Sequence, residues 1–294
     1  MRKSISASQS IRETRLSYIA PTVVRQVKCK PFIKWAGGKG QLLPSFVPLL
    51  PPLNKVNRYF EPFLGGAAVF FYLQHPRSYL SDCNADLVEL YQVVRDEVED
   101  LIRALSIHRN NETYFYKVRA QNPESLSAIQ RAARFIFLNK TCYNGLYRVN
   151  GKGQFNVPFG NYKNPAICDA EGLRAASIAL RGAEISLTDF EQAVAGAKPK
   201  DFIYFDPPYQ PISKTSSFTG YTAGRFDDAE QKRLADLFRR LARRGCSVML
   251  SNSDAPLIRE LYADFKITEI QASRAINSKA DGRGKITELV ITNY

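Results

Sequence analysis

The sequence predicts an α/β fold, a mostly parallel sheet with crossover helices, interrupted by one inserted segment of helices and loops. Two observations carry this expectation. From Asn57 onward, short apolar runs alternate with longer amphipathic ones, as in βαβ units. Between about residues 106 and 168 the alternation stops, and from Arg131 to Cys168 six Lys or Arg and seven Phe or Tyr occur without an acid.

Taken in order, RYFEPF reads as a strand, Gly65-Gly66 as a tight turn and AAVFFYLQ as a helix. SYLS is a second strand, closing on Asp82. Residues 84 to 105 carry Leu87, Leu90, Val94, Val98, Leu101 and Leu105 at helical spacing and read as one helix. Asn122-Pro123 is a helix start, followed by Leu126, Ile129, Ala133 and Phe137 on one face, and then by the loop-rich NKTCYNGLYRVNGKGQFNVPFGNYKNP. EISLTDF, DFIYF and CSVMLS resume the strands. FDDAEQKRLADLFRRLARRG reads as a helix with a capping box at Asp227 and Glu230 and a terminal glycine, Gly245. FKITEIQ and KITELVITNY, joined by NSKADGRGK, form an antiparallel hairpin at a sheet edge.

Composition narrows the function. The 294 residues are 45% hydrophobic and 12% aromatic, enough for a substantial core. No run of about 18 apolar residues occurs and the start lacks the apolar region of a secretory signal, so a soluble cytoplasmic protein without a membrane partner is expected. Five scattered cysteines, with no C-x-x-C pair and only His75 and His108 beside them, argue against a disulfide framework and against a metal site. The net charge of +13 suits a polyanionic partner. Residues 1–30 hold seven Lys or Arg against Glu13 and are expected to be a basic, disordered extension.

In an open α/β sheet, ligands lie at the carboxyl ends of the strands. EPFLGGA is suited to a cofactor turn in the Rossmann manner, with Asp82 at the end of the next strand placed to accept from ribose hydroxyls. WAGGKGQ fails the phosphate-loop pattern, because Ile33 stands where a glycine is needed and Gly40 where Ser or Thr is needed. The most informative stretch is DFIYFDPPYQ, residues 201 to 210. Two prolines fix the backbone after Asp206 and remove its local donors, so Asp206 and the Pro207 carbonyl can both accept from one planar NH2. Tyr209 adds a face on which a base can stack. The residues by themselves identify no particular amine.

FIKWAGGK, EPFLGGAAVF, SDCNADL, YNGLYR with FNVPFG, and DPPY, in this order, resemble the Dam-type DNA adenine-N6 methyltransferases over about residues 31 to 294. The resemblance implies a Rossmann-like class I methyltransferase sheet at residues 31–105 and 169–294, with a target-recognition domain inserted at 106–168. It implies S-adenosylmethionine as methyl donor, no metal, and double-stranded DNA as partner, bound by a monomer. Asp206, Pro207 and Tyr209 are the implied catalytic residues. Trp35, Lys39, Phe63, Gly65, Asp82 and Asp206 are the implied cofactor contacts. Lys34, Tyr143, Asn144, Leu146, Arg148 and Pro158 are the implied DNA contacts, with Tyr143 and Asn144 filling the space of a flipped base and the others reading GATC. Two positions depart from the pattern. Ala67 stands where the family's Phe-x-Gly-x-Gly turn often ends in glycine, and Asn161 stands where close relatives carry a phosphate-contacting arginine. Methyltransferases of RNA or of protein glutamine, and a catalytically idle DNA-binding module, remain as alternatives at this level.

Overall fold

The computed structural model describes residues 28–212, 226–273 and 285–294. The expected extension at residues 1–30 therefore lies outside the described residues except for its last three. So does the NSKADGRGK connection, apart from Lys285.

Among the described residues one sheet holds seven strands: β1 (Tyr59–Glu61), β2 (Ser78–Asp82), β3 (Ala183–Leu187), β4 (Phe202–Phe205), β5 (Ser247–Ser253), β6 (Lys266–Ser273) and β7 (Lys285–Thr292). Their order is β3-β2-β1-β4-β5-β7-β6. The first five pair in parallel, whereas β7 runs antiparallel to both β5 and β6. The chain moves outward from β1 to β3 and then returns to β4 on the other side of β1. A crevice opens at such a reversal, at the carboxyl ends of the two central strands. Pairing of Tyr59 with Phe202 and Phe60 with Ile203 sets EPF and DPPY side by side, although some 140 residues of sequence separate them.

The sheet is covered on both faces, and β4 shows why its run is wholly apolar. Phe202 and Tyr204 point into one core and Ile203 and Phe205 into the other, the period of two that a strand imposes. The helices are α1 (Leu43–Phe46), α2 (Ala68–Leu73), α3 (Ala85–Asp96), α4 (Val98–Ser106), α5 (Glu112–Arg119), α6 (Ala128–Thr141), α7 (Ala170–Leu180), α8 (Phe190–Ala193), α9 (Asp228–Arg243) and α10 (Pro256–Leu261). The first core joins α2, α3 and α7 to Phe135, Ile136 and Phe137 of α6.

Several expectations need correction. The helix expected over 84 to 105 breaks at Glu97, whose φ of −128° and ψ of 32° are not helical. The break lets α4 turn against α6 and α7, burying Leu101 and Leu105 there. Asn122-Pro123 opens only a single 3₁₀ turn. The long helix starts after Ser127, which accepts from Gln130 N–H while the Gln130 side chain accepts from the Ser127 backbone, a reciprocal cap. At α9, Asp227 accepts from the Ala229 and Glu230 amides as expected, but the Glu230 carboxylate pairs with Arg233 rather than closing the box. Three capped helices were not expected, α5 after Asn111, α7 after Asp169 and α8 after Asp189, where the strand expected over EISLTDF ends at Leu187 and the Asp189 side chain accepts from the Glu191 amide. Among the described residues no helix is long and apolar enough to cross a membrane.

Candidate active site

β4 delivers Asp206 to the crevice, where its carboxylate meets Lys39. The ammonium lies 2.7 Å from Asp206 Oδ1 and 2.9 Å from Oδ2, donates to the Gly37 carbonyl at 2.5 Å, and sits 4.7 Å from the centre of the Tyr209 ring. Lys39, expected on a turn, is only 3% exposed. A carboxylate, a carbonyl and an aromatic face surround it, the partners that an enclosed ammonium requires. Behind Asp206, the Ser251 hydroxyl donates to Oδ1 at 2.8 Å and lies 3.0 Å from the Tyr204 hydroxyl. The Tyr209 hydroxyl donates to Glu288 Oε2 at 2.8 Å, and burial raises the Glu288 carboxyl above its ordinary range.

A polar scaffold holds the proline turn from below. Gln231, fully buried on α9, donates to the Pro208 carbonyl at 3.0 Å. Asn252 accepts from the Gln210 amide at 3.0 Å, and the Ser253 hydroxyl donates to the Gln210 carbonyl at 2.5 Å. Among the described residues no donor is bonded to the Pro207 carbonyl, whereas its neighbour at Pro208 is taken. Sequence reasoning passed over Ser251, Asn252, Ser253, Gln231 and Glu288. A signal was present in the first three: SNS follows the apolar VML within the same buried strand, and buried polar residues require partners.

The cofactor side is built on the turn after β1. Asp82 Oδ2 accepts from Gly65 N–H at 3.2 Å and Oδ1 from Asn84 N–H at 3.0 Å. Burial nevertheless raises its pKa. Gly65 has φ of +45°, and a Cβ there would lie 2.9 Å from the Trp35 indole, so both backbone shape and crowding demand glycine. Ala67 adopts φ of 52° and ψ of 34°, the left-handed region, at the position where the family often has glycine. Phe63 stacks on Phe190 at 5.3 Å between ring centres and meets Phe226 edge-on at 5.7 Å. Glu61 is buried and accepts from Tyr59 OH at 2.7 Å and from Phe70 N–H at 3.1 Å. Desolvation pushes its carboxyl up to about 8.

The implied DNA contacts fall on a second surface. Tyr143 is 50% exposed, and its amide donates to the Pro158 carbonyl at 2.9 Å, closing the YNGL loop against the VPFG loop. Asn144 stands at φ of 56°. Arg148 is exposed and aimed by Asn156, whose side-chain oxygen accepts from Nε at 2.7 Å and whose backbone carbonyl accepts from Nη2 at 3.3 Å. Lys34 is exposed, lies over the Tyr162 ring at 4.2 Å, and packs so close to the YNGL loop that a Cβ on Gly145 would be 2.3 Å from its Cδ. Leu146 packs half-buried on the core. The two surfaces meet where Lys34 is followed directly by Trp35.

The sequence pattern of the D12 class N6 adenine-specific DNA methyltransferases matches residues 35–276. The chain is 45% identical over 277 residues to the Type II methyltransferase M1.LlaDCHI of Lactococcus lactis subsp. cremoris, covering 92% of this chain and 97% of that protein. It is 45% identical over 289 residues to the Type II methyltransferase M.MjaIII of Methanocaldococcus jannaschii, with 91% and 100% covered. To the DNA adenine methylase of Escherichia coli strain K12 it is 36% identical over 267 residues, with 90% and 95% covered. With a seven-stranded α/β sheet, a carboxylate set between two prolines and a buried lysine, and similarity that runs nearly end to end, the chain belongs to the D12 class N6 adenine-specific DNA methyltransferases.

Proposed function

We propose that this enzyme moves the methyl group of S-adenosylmethionine to the N6 amine of an adenine turned out of double-stranded DNA, within 5′-GATC-3′, acting as a monomer in the cytoplasm. The Lys39 ammonium carries the proposal: a protein nitrogen already donates to both Asp206 oxygens in front of the Tyr209 ring. That place binds a nitrogen donor against an aromatic face, which is what the amine of adenine requires. Relatives named as DNA adenine methylases support the choice of base, and the resemblance of Lys34, Leu146, Arg148 and Pro158 to the family's base-reading contacts supports GATC.

The donor fits the turn after β1. Trp35, Phe63, Gly65 and Asp82 would hold it, with Asp82 facing ribose hydroxyls, the bare Gly65 backbone giving close approach and the Phe63–Phe190 stack offering an apolar wall. When bound, S-adenosylmethionine supplies an electrophilic methyl group on a sulfonium.

The chain's own residues supply position. A stacked adenine hides its amine, and turning it out costs a few kcal/mol. Tyr143, half-exposed on its loop, is suited to fill the vacated stack, and Lys34 and Arg148 to hold the duplex. Within residues 106–168, which we assign to target recognition, Arg148 suits a bidentate guanine contact. In the pocket, Asp206 and the Pro207 carbonyl accept the two amine hydrogens as Lys39 yields its place. Those bonds favour a pyramidal nitrogen with a localised lone pair, which the delocalised amine otherwise lacks. Holding two reactants in line supplies much of the rate. The nitrogen is cationic after transfer, so its proton leaves without a strong base, with Asp206 Oδ atoms beside it.

Transfer of labelled methyl from S-adenosylmethionine to duplexes with and without GATC, beside RNA and protein controls, tests the proposal. Labelling of GATC duplex, and resistance of that DNA to a methylation-blocked GATC nuclease, are expected. Equal labelling of duplexes lacking GATC would remove the specificity, and labelling of RNA or protein alone would remove the substrate.

A further inference from the structure

Asn139, near the end of α6, is 1% exposed and makes three hydrogen bonds to backbone outside its helix, two of them to Lys34, 105 positions away. Its Oδ1 accepts from Lys34 N–H at 2.9 Å. Its Nδ2 donates to the Lys34 carbonyl at 2.7 Å and to the Gly145 carbonyl at 3.1 Å. One buried amide thus grips both sides of Lys34 and ties it to the YNGL loop. Only an amide offers one acceptor and two donor hydrogens on a side chain of this size. The same two segments press together without a gap, since Gly145 leaves no room for a Cβ beside Lys34.

The grip reaches the cofactor side through one peptide bond. Trp35 follows Lys34, and its indole closes over Gly65 of the turn after β1. On its other side Trp35 stacks with Tyr147 at 5.7 Å and with Phe135 at 6.5 Å, both from the recognition segment. Tyr147 is anchored in turn by its hydroxyl, which donates to Asp86 at 2.6 Å. A continuous chain of contacts thus joins the YNGL loop to the Gly65 turn.

We infer that Asn139 is a positioning residue that holds Lys34 and the YNGL loop in register with Trp35, so that target discrimination and the cofactor seat are set by one buried amide. The inference rests on Lys34 touching DNA and Trp35 touching the cofactor, as proposed above. Asn139→Asp preserves shape while deleting both donors and turning a carboxylate toward two carbonyls. Gly145→Ala attacks the same junction from the loop and decides the matter if the first variant does not fold. Trp35 is the one tryptophan of the sequence, so its emission reports the cofactor end directly.

The full-length protein is titrated with S-adenosylhomocysteine with and without target duplex, following Trp35 emission. Methyl transfer to that duplex is then compared with transfer to one carrying a single changed base pair. In the wild type the duplex alters Trp35 emission. In a folded variant that response is lost and discrimination falls about tenfold, the scale of leaving buried polar groups unpaired. A folded variant that keeps both, or that merely melts earlier, overturns the inference. Lys34→Ala, run in parallel, separates the failures. Unchanged discrimination in Lys34→Ala removes the DNA contact on which the inference rests, whereas its loss beside wild-type behaviour of the Asn139 and Gly145 variants rejects the amide alone.

Discussion

Asp206 stands at the end of a strand whose four residues are all buried, whereas Arg148 stands on an exposed loop steadied by one asparagine. The pocket is held by charge in low dielectric: an enclosed ammonium, a carboxylate and a layer of serine, asparagine and glutamine hydrogen bonds beneath. The face proposed to read DNA is held by backbone contacts between loops, with long side chains left outside. Chemistry at one atom requires groups that do not move, while reading a duplex requires groups that reach. Substitutions in the pocket should accordingly alter turnover, and substitutions on the face should alter preference.

The largest effect is expected at Asp206. Asp206→Ala should lower methyl transfer by about a hundredfold to a thousandfold, as loss of one preorganised polar group does, while circular dichroism shows the fold intact. Near-normal turnover would break the assignment of the pocket.

Glu61 sharpens the role of burial. Its carboxyl is pushed up to about 8 from an ordinary 4.5. The folded state therefore holds the proton more tightly, so its stabilisation is complete below about pH 4.5 and is lost as pH rises to about 8. The loss approaches an upper bound of about 5 kcal/mol. Glu61→Gln, which cannot ionise, should melt progressively higher than the wild type between pH 5 and 9. Parallel melting curves for the two proteins would show that Glu61 stays ionised.

On the recognition face, Arg148→Ala should cost about 1–3 kcal/mol of discrimination between cognate and near-cognate duplexes, the worth of one bidentate base contact. Turnover on saturating cognate DNA should change far less. If kcat fell as it does in Asp206→Ala, the division between the two regions would collapse.

A smaller effect is expected at Tyr209→Phe, which keeps the ring but deletes the bond to Glu288. A loss of roughly fivefold in kcat, about 1 kcal/mol, follows from one hydrogen bond. The smallest is Ala67→Gly. A left-handed alanine costs on the order of 1 kcal/mol, so glycine should raise the melting temperature or tighten S-adenosylmethionine binding slightly. Weaker binding would mean that the Ala67 methyl, itself buried, packs against something useful.

Much of the candidate site was legible because its signals are local. A strand that stops on Asp-Pro-Pro-Tyr, or a Gly-Gly turn after a strand, is determined by backbone sterics within a few residues. Lys39 was legible by resemblance, but its burial was not, because WAGGKGQ reads as a surface turn until α2 and β4 close around it. The helix break at Glu97 was hidden for a similar reason. The apolar spacing runs through it, and only packing of α4 on α6 makes two helices better than one. The α5 helix was not legible because its eight residues, ETYFYKVR, are too few to show helical periodicity and bury only Phe115 and Val118.

The sequence by itself determined the α/β pattern, the acid-free basic and aromatic segment and the proline-fixed backbone after Asp206. These follow from periodicity, charge and the fixed φ of proline, all properties of neighbouring residues. Tertiary structure alone decided that Lys39 faces Asp206, that Glu288 anchors Tyr209 and that Asn139 binds Lys34 to Gly145. Those partners lie 167, 79 and 105 positions apart, with Gly145 itself six beyond Asn139. Strand order and helix packing bring them together, and no local preference encodes which buried polar group finds which.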